Sequence, residues 1–243
     1  MNNKSNSPET RIRGAGAFIF DLDGTLYDTH GFARRLVLAQ PWEGFLMLAE
    51  RRIRKDMIGG DYLSVGAYYG EFFSRMAHFT GKSIENLRNW YFDRYIPLMC
   101  GVLKKYYRSR PGTAELFQCL TQGSFPFAVY SDYPQTAERL SCLGLDTASG
   151  AKIYGPEHFG AQKPAVRPFL LIAQDLGLPP ERILVIGDRD DTDGAGAAAA
   201  GMAYIGIKNR KRQGFSSGLN WETFITLFRS NLNFQTTANS ELN

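Results

Sequence analysis

The chain has 243 residues, of which 44% are hydrophobic, and its formal net charge is +4. This length can bury a sizeable core in one or two domains, and no stretch approaches the roughly 20 apolar residues of a membrane-spanning helix. The polar start of the chain differs from a secretory signal peptide, and the three scattered cysteines lack the spacing of a metal site or a disulfide framework. We therefore expect a cytoplasmic globular protein with no membrane partner.

The first predicted strand, at residues 17–21, follows a polar tail of residues 1–16 and ends in two aspartates. Within AFIFDLDGTL, Asp21 and Asp23 stand two positions apart. Because side chains alternate along a strand, both carboxylates can face one crevice. Such a pair suits a nucleophile beside a general acid/base, and crowded carboxylates are best tolerated near a divalent cation.

The strand pattern stops in residues 30–109, which read as helices rich in aromatic residues and arginine. A connection between a strand and a helix usually takes about 2 to 6 residues, so this segment is predicted to be a separate small helical domain. It carries 13 Lys and Arg against 7 Asp and Glu, whereas the remainder carries 15 against 17. The positive charge of the chain therefore resides in this segment, where it would attract an anionic substrate.

Two groups of side chains in the helical segment are predicted to have different roles. Arg51, Arg54 and Lys55 lie at helical spacing and could share one substrate-binding face, although a solvated helix face is the commoner use of such a run. No nucleic-acid-binding motif accompanies the charge, so a nucleic-acid partner is not expected. The side chains predicted to form the core of the segment are Tyr68, Tyr69, Phe72 and Phe73.

Strands and helices alternate from residue 110 to residue 230, a pattern typical of a parallel sheet in an α/β protein. The predicted strands are 126–130, 183–187 and 203–207. The predicted helices are 112–122, 134–143, 166–176, 193–200 and 220–229. This region is expected to form one catalytic core with residues 17–29, and residues 231–243 are expected to be a polar C-terminal tail.

Three further polar groups follow apolar runs or lie in a turn-rich stretch of this core. Ser131 and Asp188 each follow a predicted strand, and Lys163 precedes a proline. Ligands bind at the carboxyl ends of strands in such sheets. The three residues offer a hydroxyl, an ammonium and a second acidic cluster, which is what a phosphoryl substrate approaching carboxylates requires.

The motifs DLDGT, a lone serine, a lysine followed by proline, and GDxxxxD, in this order, resemble the haloacid dehalogenase superfamily of hydrolases. The resemblance covers residues 17 to about 207, and DLDGTL is the most specific of the motifs. It implies a Rossmann-like parallel-sheet core. It also implies that residues 30–109 are a helical cap of the first structural class, which closes over the site.

The resemblance implies a role for each motif residue. Asp21 would be the nucleophile and form an aspartyl-phosphate, and Asp23 would protonate the leaving oxygen and then deprotonate the attacking water. Mg²⁺ would bind the Asp21 carboxylate, the Asp23 backbone carbonyl and the Asp188 carboxylate. Ser131 and Lys163 would hold the phosphoryl oxygens.

The sequence GDRDDTD contains more acids than the family pattern needs. Asp193 matches the second acid of the motif, which supports a metal-bound water or the lysine. Asp191 could take this supporting role instead, and the role of Asp190 is open. Acids at the start of a helix are also favoured by the helix dipole alone.

The reaction that the resemblance implies is hydrolysis of a small phosphate monoester from a phosphorylated metabolite. Dehalogenases of the superfamily lack an aspartate at the position of Asp23, so phosphate chemistry is favoured. A sugar phosphomutase uses the same aspartates and stays open as an alternative, because it differs mainly in how its cap excludes water. A non-catalytic binding protein that uses the basic segment is a further alternative. The substrate and the oligomeric state are left open.

Overall fold

The computed structural model describes residues 7–145, 150–209 and 214–240, with side chains described as far as residue 232. Its centre is a parallel five-stranded sheet with the strand order β3-β2-β1-β4-β5. The strands are β1 (Ala17–Asp21), β2 (Phe127–Tyr130), β3 (Lys152–Tyr154), β4 (Ile183–Gly187) and β5 (Ala203–Gly206). The four predicted strands are confirmed to within one residue, and the short edge strand β3 is an addition to the prediction. The α/β Rossmann-like class is confirmed.

Strands β1, β2 and β4 are buried along their whole length, as expected for a parallel sheet covered on both faces. Phe20 of β1 is in register with Val129 of β2 on one side and Ile186 of β4 on the other. Successive side chains of β1 enter different cores: Phe20 packs in the larger cluster and Ile19 in the smaller one. The central position of β1 brings the residues after β2 and β4 to either side of Asp21.

Helices surround the sheet at the positions that the sequence predicts. They are α7 (Thr113–Gln122), α8 (Thr136–Cys142), α9 (Pro156–Phe159), α10 (Val166–Leu176), α11 (Ala195–Ala199) and α12 (Trp221–Ser240). The predicted helix 193–200 divides into a π-helical turn at Asp190–Gly194 and α11. Its small residues permit close packing, because a Cβ on Gly196 would overlap the ring of Phe169.

The prediction of two polar tails is wrong where the chain is described. A first helix, α1 (Pro8–Gly14), begins at the Ser7 side chain, which accepts a hydrogen bond from the Thr10 amide at 3.3 Å. Ile12 of α1 is buried, and α1 packs against α12, where Arg13 Nε donates to Asn231 Oδ1 at 2.5 Å. Helix α12 continues to residue 240. Residues 1–6 and 241–243 lie outside the described residues.

Residues 30–109, named here the helical insertion, lie between β1 and β2. Their helices are α2 (Phe32–Ala39), α3 (Gly44–Asp56), α4 (Val65–Thr80), α5 (Ile84–Asn89) and α6 (Ile96–Tyr106), with a π-helical segment at Trp90–Tyr95. The four aromatic side chains predicted for its core are buried. Within the described part of the chain, no helix combines the length and apolarity that crossing a membrane requires.

The helical insertion is joined to the loop before α10 by main-chain hydrogen bonds. The amides of Gly59 and Tyr62 donate to the carbonyls of Lys163 and Gly160 at 3.1 and 3.0 Å, and the Gln162 amide donates to the Gly60 carbonyl at 3.0 Å. An ion pair between Arg167 and Asp61, with two hydrogen bonds to Asp61 Oδ1 and one to Oδ2, flanks these bonds. The loop that carries Lys163 is therefore bonded to both parts of the molecule.

Candidate active site

The structure brings the motif residues together at the carboxyl edge of the sheet. Asp21 is the last residue of β1, Ser131 directly follows β2, and Asp188 directly follows β4. These three strands are neighbours, so the residues that follow them converge on one crevice. Lys163, from the loop before α10, completes the group.

The Asp21 carboxylate is fixed by one donor on each oxygen. Lys163 Nζ donates to Oδ1 at 2.6 Å, and Thr25 Oγ1 donates to Oδ2 at 2.7 Å. Lys163 Nζ also donates to Asp193 Oδ1 at 2.7 Å. The lysine is almost fully buried and its ammonium is shared between two buried carboxylates, so its charge is directed at this cluster alone.

Three buried carboxylates offer a candidate cation site. Asp21, Asp188 and Asp193 each present an oxygen within 4.8 Å of the others. Gly24 approaches them closely with a φ of +96°, and a Cβ at this position would overlap Asp188 Oδ2. The all-oxygen donor set is the one that Mg²⁺ prefers.

The charges in this cluster are unbalanced, and the pKa values reflect the imbalance. Burial raises the pKa of Asp21 to about 7, with Lys163 lowering it and the charges of Asp193 and Asp23 raising it further. Burial, together with the neighbouring charges of Asp21 and Asp193, raises the pKa of Asp188 to about 8. One ammonium does not neutralise three carboxylates, so a divalent cation would relieve their repulsion.

Asp23 has a different environment from Asp21, although the two are only two residues apart. Its Oδ1 accepts a hydrogen bond from Tyr27 Oη at 2.6 Å and is ion-paired with Arg139 Nη2, and its Oδ2 accepts from Ser131 Oγ at 2.8 Å. Burial raises the pKa of Asp23, but Arg139 and these hydrogen bonds outweigh it, and the pKa is lowered below its usual value. The carboxylate is therefore held in its ionised form.

Of the acids after β4, the structure separates Asp193 from its neighbours. Asp193 is buried and bonded to Lys163, as predicted for a residue that supports the lysine. Asp191 is exposed and forms an ion pair with Arg189, with contacts at 2.8 and 2.5 Å. Asp190 is also exposed and accepts from Tyr204 Oη at 3.1 Å. The supporting role considered for Asp191 is therefore not supported by its contacts.

The three cationic residues of α3 do not share one environment, which corrects the expectation of a common face. Arg51 and Lys55 are exposed, whereas Arg54 is buried. The Arg54 guanidinium donates to Glu50, to the hydroxyls of Tyr68 and Tyr91, and to the Asp132 carbonyl. These contacts occupy Arg54 in joining the helical insertion to the loop after β2, and a substrate-binding role remains a prediction for Arg51 and Lys55.

Several residues that contact the motif side chains were not singled out from the sequence. Thr25 and Tyr27 belong to the DLDGTLY segment, so the motif itself carried a signal for them. Arg139, on α8, and Asn209, whose Nδ2 donates to Asp188 Oδ2 at 2.8 Å, have no motif. Arg110 holds the loop after β1 by donating to the carbonyls of Thr25 and Gly24. Tertiary structure alone identifies these last three.

Comparison with known proteins gives a family match over most of the chain. A sequence model of the family described as haloacid dehalogenase-like hydrolases matches residues 15–201. Two curated relatives are N-acetylmuramic acid 6-phosphate phosphatases, from Pseudomonas aeruginosa and Pseudomonas putida. Each is 30% identical over 194 residues, which cover 77% of this chain and 81% and 82% of the relatives.

Solved structures give the same fold. CbbY from Rhodobacter sphaeroides, solved in complex with phosphate, has a TM-score of 0.60 at 18% identity and covers 90% of this chain and 99% of its own. A hydrolase from Deinococcus radiodurans, solved with bound phosphate and sodium, has a TM-score of 0.51 at 25% identity and covers 88% of this chain and 89% of its own.

Proposed function

Since the chain belongs to the haloacid dehalogenase-like hydrolases, we propose that it is a magnesium-dependent phosphatase that hydrolyses a small phosphate monoester through an aspartyl-phosphate. The observation that carries this proposal is the buried convergence of Asp21, Asp188, Asp193 and Lys163, with Asp23 beside them. The two phosphatase relatives support the same reaction class.

The donor set fits a divalent cation, because its oxygens are close together and their negative charge exceeds the positive charge of Lys163. In the proposed enzyme, Mg²⁺ is held by the Asp21 and Asp188 carboxylates and by the Asp23 backbone carbonyl, and Asp193 supports Lys163. When bound, the ion neutralises the carboxylates and polarises a phosphoryl oxygen.

The roles of the side chains follow from their positions. Asp21 attacks phosphorus, and the phosphorus–oxygen bond to the leaving group breaks as Asp23 supplies its proton. Asp23 then accepts a proton from the water that cleaves the aspartyl-phosphate, which restores both carboxyl groups. Lys163 holds a phosphoryl oxygen where negative charge develops, and Ser131 takes the second such position when its hydroxyl turns from Asp23.

The helical insertion is proposed to be the cap over this site. Its attachment to the loop of Lys163 and the contact of Arg54 with the Asp132 carbonyl support this proposal. A cap that excludes water protects the phosphorylated intermediate from uncontrolled attack. The exposed cations Arg51 and Lys55 are candidates for attracting the substrate to it.

Sugar phosphates head the list of candidate substrates, because the two Pseudomonas relatives act on N-acetylmuramic acid 6-phosphate by their names. The test is phosphate release from a panel of phosphate monoesters that includes this compound, other hexose phosphates and short-chain phosphates. The wild-type chain, Asp21→Asn and the matched surface variant Asp175→Asn are compared, each with Mg²⁺ and with EDTA.

We expect release by the wild type and by Asp175→Asn that disappears with EDTA and in Asp21→Asn. Release that persists in Asp21→Asn would contradict the nucleophilic role. Conversion of one sugar phosphate into an isomer without phosphate release would replace the proposal by the phosphomutase alternative, and absence of both reactions would overturn catalysis on these substrates.

A further inference from the structure

Arg139 forms contacts with two groups of the proposed site. Its Nη2 is ion-paired with Asp23 Oδ1, and its Nη1 donates to Ser131 Oγ at 2.9 Å. We propose that Arg139 is a positioning residue that orients the Asp23 carboxylate and the Ser131 hydroxyl together for the chemical step. This inference rests on the phosphatase function proposed above and adds to it a residue outside the family motifs.

The burial of Arg139 determines which kind of role it has. Its side chain is 0% exposed, whereas that of Asp23 is 21% exposed. A substrate that approaches from solvent can therefore reach Asp23 but not the guanidinium behind it. The ring of Tyr133, whose centroid is 5.4 Å from Arg139 Cζ, packs against the same guanidinium. Arg139 thus acts through Asp23 and Ser131 rather than on the substrate.

The hydrogen bonds of Ser131 explain why one guanidinium can orient two groups. Ser131 Oγ gives its single proton to Asp23 Oδ2 and accepts from Arg139 Nη1 and from the Tyr133 amide, at 3.1 Å for the amide. A hydroxyl has one proton and two lone pairs, so Ser131 is fully used. When the proton turns to a phosphoryl oxygen, the two accepted bonds still hold Oγ in place, and Arg139 and Tyr27 still hold Asp23 Oδ1.

The remaining nitrogen of Arg139 argues against a purely stabilising role. Arg139 Nε is buried without a hydrogen-bond partner among the described residues. An arginine selected only for packing would be replaceable by an apolar side chain of similar volume. Retention of a buried guanidinium with one unsatisfied donor is understandable if the two other nitrogens are needed at Asp23 and Ser131.

The test compares steady-state phosphate release by wild type, Arg139→Ala, Arg139→Lys and the surface control Arg182→Ala. Arg182 lies just before β4, at the opposite end of that strand from Asp188. We expect Arg139→Ala to lower kcat by about 100-fold, since misplacement of catalytic groups by about 1 Å can cost this much, with KM changed less than about threefold.

Arg139→Lys should retain an intermediate kcat, because a single ammonium cannot reproduce the fork of two nitrogens. Added guanidinium ion should raise the kcat of Arg139→Ala and leave the wild type unchanged. A kcat within threefold of wild type in Arg139→Ala, or an equal loss without guanidinium rescue and with a lost magnesium-induced thermal shift, would overturn the inference in favour of a structural role.

A second measurement separates this inference from the proposed function. In crystal structures of wild type and Arg139→Ala, we expect the Asp23 carboxylate and Ser131 hydroxyl to leave their positions only in the variant. Unchanged positions would overturn the inference even where the wild type releases phosphate. Absence of phosphate release by the wild type would count against the proposed function, and the crystal comparison would still decide whether Arg139 positions the two side chains.

Discussion

Two buried clusters of charge, one in the sheet core and one in the helical insertion, are built on opposite principles. In the core, the Lys163 ammonium faces three carboxylates, and burial and mutual repulsion raise the pKa values of Asp21 and Asp188. In the insertion, Arg54 pairs with Glu50 at 2.6 Å, and tyrosine hydroxyls donate or accept around them. The first cluster has surplus negative charge, and the second is balanced.

This difference separates function from stability. A balanced buried pair has all its groups satisfied by the protein, so removal of one partner is felt mainly as lost stability. An unbalanced cluster is completed by something that the protein does not supply, here a cation and a phosphoryl group. Charge imbalance in a buried site is therefore the better indicator of chemistry, and variants in the two clusters should fail in different ways.

The largest effect on stability is expected in the insertion, for Arg54→Met. Glu50 is fully buried, so it would be left without its cation, and loss of one partner of a buried pair costs about 3–5 kcal/mol. Urea unfolding monitored by circular dichroism measures this change. The matched variant is Arg75→Met, because Arg75 and Glu71 form the same i,i+4 pair at 2.6 Å on an exposed surface, where the expected loss is below about 1 kcal/mol. Equal losses in the two variants would contradict the comparison.

The next largest effect is on activity, for Lys163→Met. This change removes the cation that holds Asp21 and Asp193, and loss of one electrostatic donor at a reacting centre lowers kcat by about 10²- to 10³-fold. Phosphate release at saturating substrate measures it. Lys152→Met removes an exposed lysine that pairs with Asp175, and it should leave kcat unchanged. A Lys163→Met enzyme that keeps its kcat but unfolds more easily would place Lys163 with Arg54 as a structural cation.

A smaller effect is the pH dependence of the metal-free protein. The folded pKa values of Asp21 and Asp188, about 7 and about 8, lie above the usual value of 3.8. Between these limits the folded state binds more protons than the unfolded state, so stability decreases as pH rises from about 4 to about 8. Each pKa unit corresponds to about 1.4 kcal/mol. Thermal melts in EDTA across this range measure the slope.

Mg²⁺ should flatten this slope and raise the melting temperature at pH 8, because a ligand at 100 times its Kd adds about 2.7 kcal/mol. Asp188→Asn, which removes one carboxylate of the cluster, should weaken both effects. A metal-free protein whose stability increases between pH 5 and pH 8 would show that the surplus charge of the core is compensated by the protein itself.

The smallest effect is expected for Asp61→Asn, which removes the surface ion pair between the insertion and Arg167. Both side chains are partly exposed, so the loss at pH 7 should be below about 1 kcal/mol. Hydrogen bonds from Arg167 lower the folded pKa of Asp61. Its contribution is therefore present above the usual value of 3.8 and is lost as pH falls through the folded value. Melts of both proteins at pH 7 and pH 3 should differ only at pH 7.

The sequence predicted the parts of the fold that continuous apolar runs specify. Residues 17–21 and 183–187 are buried strands with no competing periodicity, and their ends located Asp21 and Asp188. Strand β3, by contrast, has only three residues at a sheet edge, and none of them is fully buried. It has no pattern to detect, because its position depends on pairing with β2. Helix α1 was missed for a similar reason: its single buried residue is Ile12.

In the site, motif residues were predictable and their partners were not. The positions of Asp21, Lys163 and Asp193 follow from strand ends and motif order. The pairing of Asp23 with Arg139 joins residues 116 positions apart, and nothing local in α8 announces it. Similarly, the charge count of the insertion suggested an exposed basic surface, but Glu50 is buried against Arg54. Net charge counts side chains without saying which of them neutralise each other.

The main-chain bonds between residues 59–62 and 160–163 have a mechanical consequence. One of the bonded groups is the carbonyl of Lys163 itself, which receives the Gly59 amide. The insertion cannot swing away at residues 59–62 without either breaking these bonds or displacing the peptide that carries the ammonium. Admission of a ligand and assembly of the catalytic apparatus are thus coupled through a few backbone amides, whatever side chains evolution places around them.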